Sequence, residues 1–204
     1  MKHLIINIIT VIISIASSTT MNAITANDIL EKASDKFTNS KSISATFSLI
    51  DNGISSLGNI TIASGKFFIS TPQLSTWFDG KTQWTYSSEI NEVNVCEPTQ
   101  EELQQINPFA LIFNFRTNYN AKLLSKNNCY KISLTPKLTK QSIKDIEITF
   151  NSSTHLPSLI ILTTKDNHKT TIKIKSITVG KSLPASTFVF NASNYPGVEI
   201  IDLR

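Results

Sequence analysis

From residue 42 onward the chain alternates between apolar and polar positions. In "SISATFSLID" Ile43, Ala45, Phe47 and Leu49 fall on one side, and Ser44, Thr46 and Ser48 on the other. That period of two marks a half-buried strand. The alternation continues through "LGNITIAS", "GKFFIST", "STWFD", "TQWTYS" and "NEVNVCE", each bounded by turn residues. Asp79-Gly80, between two of these segments, is a strong hairpin signal. Trp77 and Phe78 beside it face opposite ways. A second series follows: "AKLLSK", "CYKISLTP", "IKDIEITFN", "SLIILTTK", "KTTIKIKSITV" and "TFVFN". Within it Tyr130, Ile132 and Leu134 share a face, as do Ile146, Ile148 and Phe150.

Helical spacing interrupts the strands twice. In "TANDILEKASDKF" Ile29, Leu30, Ala33 and Phe37 recur at helical intervals, and Thr25 stands three residues before Asp28 as a partial capping box. In the middle of the chain Thr99 and Glu102 form a second capping box, and Pro108 is placed to open the next helix. That helix, "PFALIFNF", is apolar nearly all round, so it is buried or lies over something apolar. About six strands, a helical interlude and about six more predict one large antiparallel sheet. A sheet of that size curls, and helices with apolar faces cover its concave side.

The first 23 residues stand apart. Lys2 and His3 precede the apolar run Leu4 to Ala16, and small residues follow. The run is too short to span a bilayer comfortably, so it reads as a secretion signal cleaved near Ala23 rather than an anchor. No Cys lies near the cleavage zone to carry a lipid. Residues 24–204 are expected to form one domain outside the cytoplasm. An exported chain with two cysteines, Cys96 and Cys129, suggests one disulfide; the alternative is two separate small apolar residues.

Charge and composition exclude more than they suggest. The net charge is +4 and the lysines are scattered. Lys169, Lys173 and Lys175 read as the solvent face of a strand, not as the aromatic-flanked basic stripe of a nucleic-acid site. His155 and His168 both sit in polar turn contexts. No metal-ligand spacing, glycine-rich phosphate loop or nucleophile elbow is present. Neither a metal nor another cofactor is expected, nor an enzyme. Asn59, Asn151 and Asn191 open glycosylation sequons that matter only in a host with that machinery.

Several segments then line up in order: "ISATFSLID", "SGKFFISTP", "FDGKTQWTY", "EVNVCEP", "INPFALI", "YKISLTPK", "IEITFN" and the closing "ASTFVFNASNYPGVEIID". In this order the chain resembles the LolA-type outer-membrane lipoprotein carrier proteins, through most of its mature length. The resemblance implies an α+β fold: a curled antiparallel sheet forming an incomplete, half-open β-barrel, with an N-terminal helix and a helical lid. It also implies a monomeric periplasmic carrier. Such carriers take lipid-modified proteins by their acyl chains from an inner-membrane ABC transporter to an outer-membrane acceptor. On that reading the cavity is lined by Phe47, Leu49, Phe67, Ile69, Trp84 and Tyr86 from the sheet, and by Phe109, Ile112 and Phe113 from the lid. Ordinary core packing is the alternative for each of these residues. The chain departs from the family pattern at Thr71, where an Arg before Pro72 tethers the lid in the well-studied branch. Two rival readings are a lipoprotein-sensing regulator, and an exported hydrolase using carboxylates among Asp79, Glu89, Glu92, Asp145 and Glu147.

Overall fold

The computed structural model describes residues 23–107, 109–138 and 142–204. Residues 1–22 of the expected leader, and Pro108 with its expected place at a helix start, lie outside these. Helix α1 (Ala26–Thr38) begins where the sequence places it. The Thr25 hydroxyl accepts from the Asp28 N–H at 3.2 Å, and the Asp28 carboxylate accepts from the Thr25 N–H at 2.8 Å. Both orphan donors are thereby satisfied at the helix start. Its apolar stripe, Ile29, Leu30, Ala33 and Phe37, is buried.

Strands β1 (Ser42–Asp51), β2 (Ile54–Ala63), β3 (Lys66–Ser70), β4 (Leu74–Phe78), β5 (Gln83–Ser87) and β6 (Glu92–Cys96) follow as a meander. In the β4–β5 turn the Asp79 carboxylate accepts from the Lys81 and Thr82 N–H groups at 2.9 and 2.8 Å, and Gly80 takes φ +104°. That side-chain bonding and left-handed backbone are what Asp-Gly supplies. The chain then forms α2 (Gln100–Ile106), α3 (Ala110–Phe113) and α4 (Phe115–Asn118). It resumes as β7 (Tyr119–Lys126), β8 (Cys129–Pro136), β9 (Ile143–Asn151), β10 (Pro157–Thr164), β11 (Lys169–Gly180) and, last, β12 (Glu199–Asp202).

All twelve strands join one open sheet in the order β12-β6-β5-β4-β3-β2-β1-β11-β10-β9-β8-β7. Every pairing is antiparallel except β12 on β6. Strand β11 returns to β1, and the register slips at Thr46/Phe47, a bulge that adds bend where the two halves meet. Strand β6 lies beside one edge and β7 forms the other, and between them α2 and α3 pass over the concave side, where Leu103, Ala110 and Phe113 share one cavity with Ile62 and Phe67 of the sheet. These helices form a lid over the sheet.

An apolar row runs across six strands of the concave face: Leu49, Ile172, Ile160, Ile148, Ile132 and Leu123 are successive cross-strand partners. Helix α1 packs into this half and fills it; Ile29, Leu30, Ile132, Ile148 and Ile160 are fully buried. Each such side chain contributes about 1.5–3 kcal/mol.

One contact on the same face is tight. The Phe47 ring lies across its cross-strand partner Gly58, where an added Cβ would come within 2.5 Å of the ring. Gly58→Val is expected to push the ring off its seat and cost about 1–3 kcal/mol in a urea titration. An unchanged midpoint would show that the ring does not rest there.

The strand expected over "TFVFN" does not form. Ala185–Phe188 is a 3₁₀ turn led in by Pro184, and a second 3₁₀ turn covers Ala192–Asn194. Phe188 is buried and Phe190 packs edge-on against Trp77 at 5.4 Å. Side-chain packing on the outer sheet face overrides strand pairing here. The last strand comes instead from the tail, "EIID".

Candidate functional site: a cavity beneath the lid

Helix α1 fills only half of the concave side. Over β1–β4 a cavity of about 550 Å³ remains. Its floor is Ile43, Ile62, Phe67 and Phe78, its side wall is Phe37 at the end of α1, and its roof is Leu103, Asn107, Ala110 and Phe113. Phe67 and Phe78 are cross-strand partners with rings 5.3 Å apart. Ser64-Gly65 and Gly80, at the β2–β3 and β4–β5 turns, also border it. The capping box of α2 sets the start of the roof, since Thr99 and Glu102 satisfy each other's backbone N–H groups. Hydrogen bonds from the Thr99 N–H and hydroxyl hold the Glu102 carboxyl below its usual range. Asn107 then turns the chain, its side-chain oxygen accepting from the Phe109 N–H at 3.0 Å.

The lid is held from beneath. Phe37 touches Phe109 and Phe113, with ring centroids 5.5 and 5.6 Å apart. Phe109 and Ile112 are fully buried and belong to the core; Phe113 reaches the cavity. At the far end of the lid Arg116 pairs with Glu31 of α1, on the surface.

Of the expected sheet residues, Phe67 lines the cavity. Phe47 is buried in the core, and Leu49 and Ile69 pack against it, partly buried. Trp84 and Tyr86 are corrected: they lie on the opposite, outer face. Register decides this. Phe67 pairs with Phe78 and Phe78 with Gln83, whereas Trp84 pairs with Trp77. On the outer face Trp77 meets Phe68, Phe190 and Tyr195, and Tyr86 meets Tyr195 at 4.5 Å. The C-terminal segment thus covers the aromatics of the second face. Sequence reasoning missed Phe37, Ile43, Ile62, Phe78 and Leu103. Ile43, Ile62 and Phe78 were legible as strand positions, but only the assembled sheet shows that they surround an empty volume.

The expected disulfide is also corrected. Cys96 and Cys129 are both free thiols. They sit on β6 and β8, each next to the edge strand on opposite flanks of the sheet. Burial first, and Glu102 second, pushes the Cys96 thiol up, so it stays protonated at neutral pH.

Thr71 does not reach the lid. Its hydroxyl accepts from the Leu74 N–H at 3.0 Å and closes the β3–β4 turn. Four of the five carboxylates of the hydrolase reading are engaged locally: Asp79 in its turn, Glu92 with Asn94, Asp145 with Ser133 and Glu147 with Lys131; Glu89 lies exposed in the β5–β6 turn. Among the described residues no group of three metal-binding side chains gathers.

Comparison with known proteins follows the same lines. By structure the chain is similar to an uncharacterized conserved protein from Thermus thermophilus, at a TM-score of 0.60 and 11% identity over 87% of this chain and 98% of that one. It is similar to a DUF1329 family protein from Desulfovibrio piger at 0.50 and 12%, over 83% and 98%. A LolA superfamily protein from Nitrosomonas europaea aligns at 0.42 and 15%, over 82% and 99%. At these identities the likeness is one of fold. No curated protein sequence matches. The family model described as outer membrane lipoprotein carrier protein LolA matches residues 16–166. With a half-open twelve-stranded sheet and a lid across its mouth, the chain belongs to the LolA family of outer membrane lipoprotein carrier proteins.

Proposed function

We propose that this protein is a periplasmic carrier that shields the acyl chains of lipid-modified proteins. It would receive them from an inner-membrane ABC transporter and pass them to an outer-membrane acceptor. The mature carrier is a monomer of residues 24–204, released from its leader near Ala23, and performs no chemistry on its cargo. The observation that carries this reading is the mainly apolar cavity between the sheet and a lid seated on α1 by three aromatic rings.

The cavity of 550 Å³ has room for roughly eighteen methylene-sized groups, taking about 30 Å³ for each, the share of a water in the liquid. That is one long acyl chain with the lid down; further chains require the lid to rise. Each buried methylene is worth about 0.8 kcal/mol, so affinity needs no polar contact. Release then needs a lid that lets go. The exposed Arg116–Glu31 pair contributes no more than about 1 kcal/mol. The restraint is therefore mainly the Phe37–Phe109–Phe113 cluster, and in this chain no charge from position 71 assists it.

The test is binding of a triacylated lipopeptide and its deacylated twin to the purified mature protein, with native mass spectrometry of material from the periplasm. The acylated form is expected to bind and the deacylated form not. If neither binds and no lipid co-purifies, the cavity is not a carrier site.

A further inference from the structure

In the half of the sheet that α1 fills, the β9–β10 turn carries His155. Its ring packs on Tyr130 of β8, with centroids 5.6 Å apart. Tyr130 belongs to the inward row: it pairs with Phe150, which is fully buried, and packs against the core. The turn is bonded to α1, because the Lys36 ammonium donates to the Thr154 carbonyl. Within the turn the His155 N–H donates to the Asn151 carbonyl at 2.9 Å. The Asn151 side-chain oxygen accepts from the Ser153 and Thr154 N–H groups at 3.0 and 2.9 Å. His155 takes φ +55°, a left-handed backbone that few residues with a Cβ adopt.

This seat suits a neutral imidazole. Nε2 is buried and has no partner. A proton there creates a buried cationic donor with no acceptor, which costs far more than an open lone pair. The charged groups that act on the ring add to the cost. From α1 they are Lys32 and Lys36; no carboxylate is among them. Strand β8 presents Tyr130, and Asn151 to Thr154 of the turn carry no ionisable side chain. Burial first, and the two ammonium groups after it, hold His155 below its ordinary 6.5. A hydrogen bond with the Ser153 backbone pulls the other way and offsets them only in part.

We propose that His155 is an acid-sensitive latch on α1: its neutral ring holds the β9–β10 turn against the helix, and its protonation lifts the turn off. Because the seat takes the neutral ring, acid selects the open turn. The effect passes to the lid through the chain itself. Lys36, once freed from Thr154, stands next to Phe37, whose ring seats Phe109 and Phe113. A histidine held low in the folded state contributes stability above pH 6.5, and that contribution is lost as the pH falls below it. Acid therefore loosens the contact that holds the lid down. On the carrier reading, a bound acyl chain then leaves more readily in acid; the latch itself does not depend on that reading.

The experiment needs no ligand. NMR follows the His155 imidazole of the purified protein between about pH 8 and pH 4. Hydrogen exchange of the Phe37 and Ile112 amides is then measured at about pH 7.5 and pH 5 in the wild type and in His155→Asn, since asparagine does not titrate there and tolerates a left-handed backbone. The imidazole is expected to titrate below 6.5. The ratio of wild-type to variant exchange rates is expected to rise about threefold or more from the higher pH to the lower. A residue that only shaped the turn would leave that ratio unchanged. An imidazole that titrates at 6.5 or above, or a constant ratio at Phe37, overturns the latch. A response at Phe37 without one at Ile112 overturns the step to the lid. The wild-type titration can overturn the latch even if the variant does not fold. None of these outcomes bears on the carrier reading, which lipopeptide binding tests separately.

Discussion

Ala110→Trp is expected to reduce binding of an acylated lipopeptide by about 100-fold or more while leaving the protein folded. Ala110 stands on α3 with its side chain at the cavity roof, opposite a floor of Ile62 and Phe67. An indole there occupies space that an acyl chain needs. Excluding four or more methylenes at about 0.8 kcal/mol each removes about 3 kcal/mol, which is about two decades in Kd. The volume is empty, so the added ring fills space without overpacking a full core, and the thermal midpoint should stay within a few degrees of the wild type. Isothermal titration with the lipopeptide, beside a melt of the same sample, reads both quantities. A variant that binds as tightly as the wild type would place the acyl chain somewhere other than this cavity.

The second large effect is on the lid. Phe109→Ala is expected to destabilise the protein by about 3–5 kcal/mol. The ring is 0% exposed, touches Phe37 of α1, and sits where Asn107 turns the chain between α2 and α3. Its loss leaves a void between lid and α1, which neither the short α3 nor the sheet can close. Lid amides should also exchange with deuterium much faster than those of β8–β10, because the ring joins the lid to the core. A loss below about 1 kcal/mol in a urea titration would mean that the lid is not seated through this residue.

These two residues differ in how they could be read beforehand. "PFALIFNF" is apolar on too many sides to be a solvent helix, so Phe109, Ile112 and Phe113 were legible as lid or core. Ala110 carries no such signal, and a small residue becomes informative only when the space it leaves is seen. Trp84 and Tyr86 show a different limit. Period two states which residues share a face, but not which face turns inward. That ambiguity is usually resolved because one face is polar. Here both faces of β4–β6 are covered, the inner by the lid and the outer by the C-terminal segment with Phe188, Phe190 and Tyr195. Aromatics occur on both, and the alternation no longer marks the inside. Gln83 escapes for the reverse reason: a polar residue on a strand reads as solvent-facing until its neighbours bury it.

Local structure was legible in the order of residues. The Thr25 and Thr99 caps, the Asp79-Gly80 turn and the strands β1 to β11 rest on hydrogen bonds and side-chain alternation within a few residues of each other, so their signals are written consecutively. The free thiols, the 3₁₀ turns at Ala185–Phe188 and Ala192–Asn194, the outward face of Trp84 and the empty space under Ala110 arise only when the chain is assembled. They depend on pairings such as Ser42 with Gly180, which bring distant segments together and set which strands reach the edges. Many partners are compatible with the same alternation. The choice among them is made by how the whole sheet closes over α1 and by the path of α2 and α3 across its concave side.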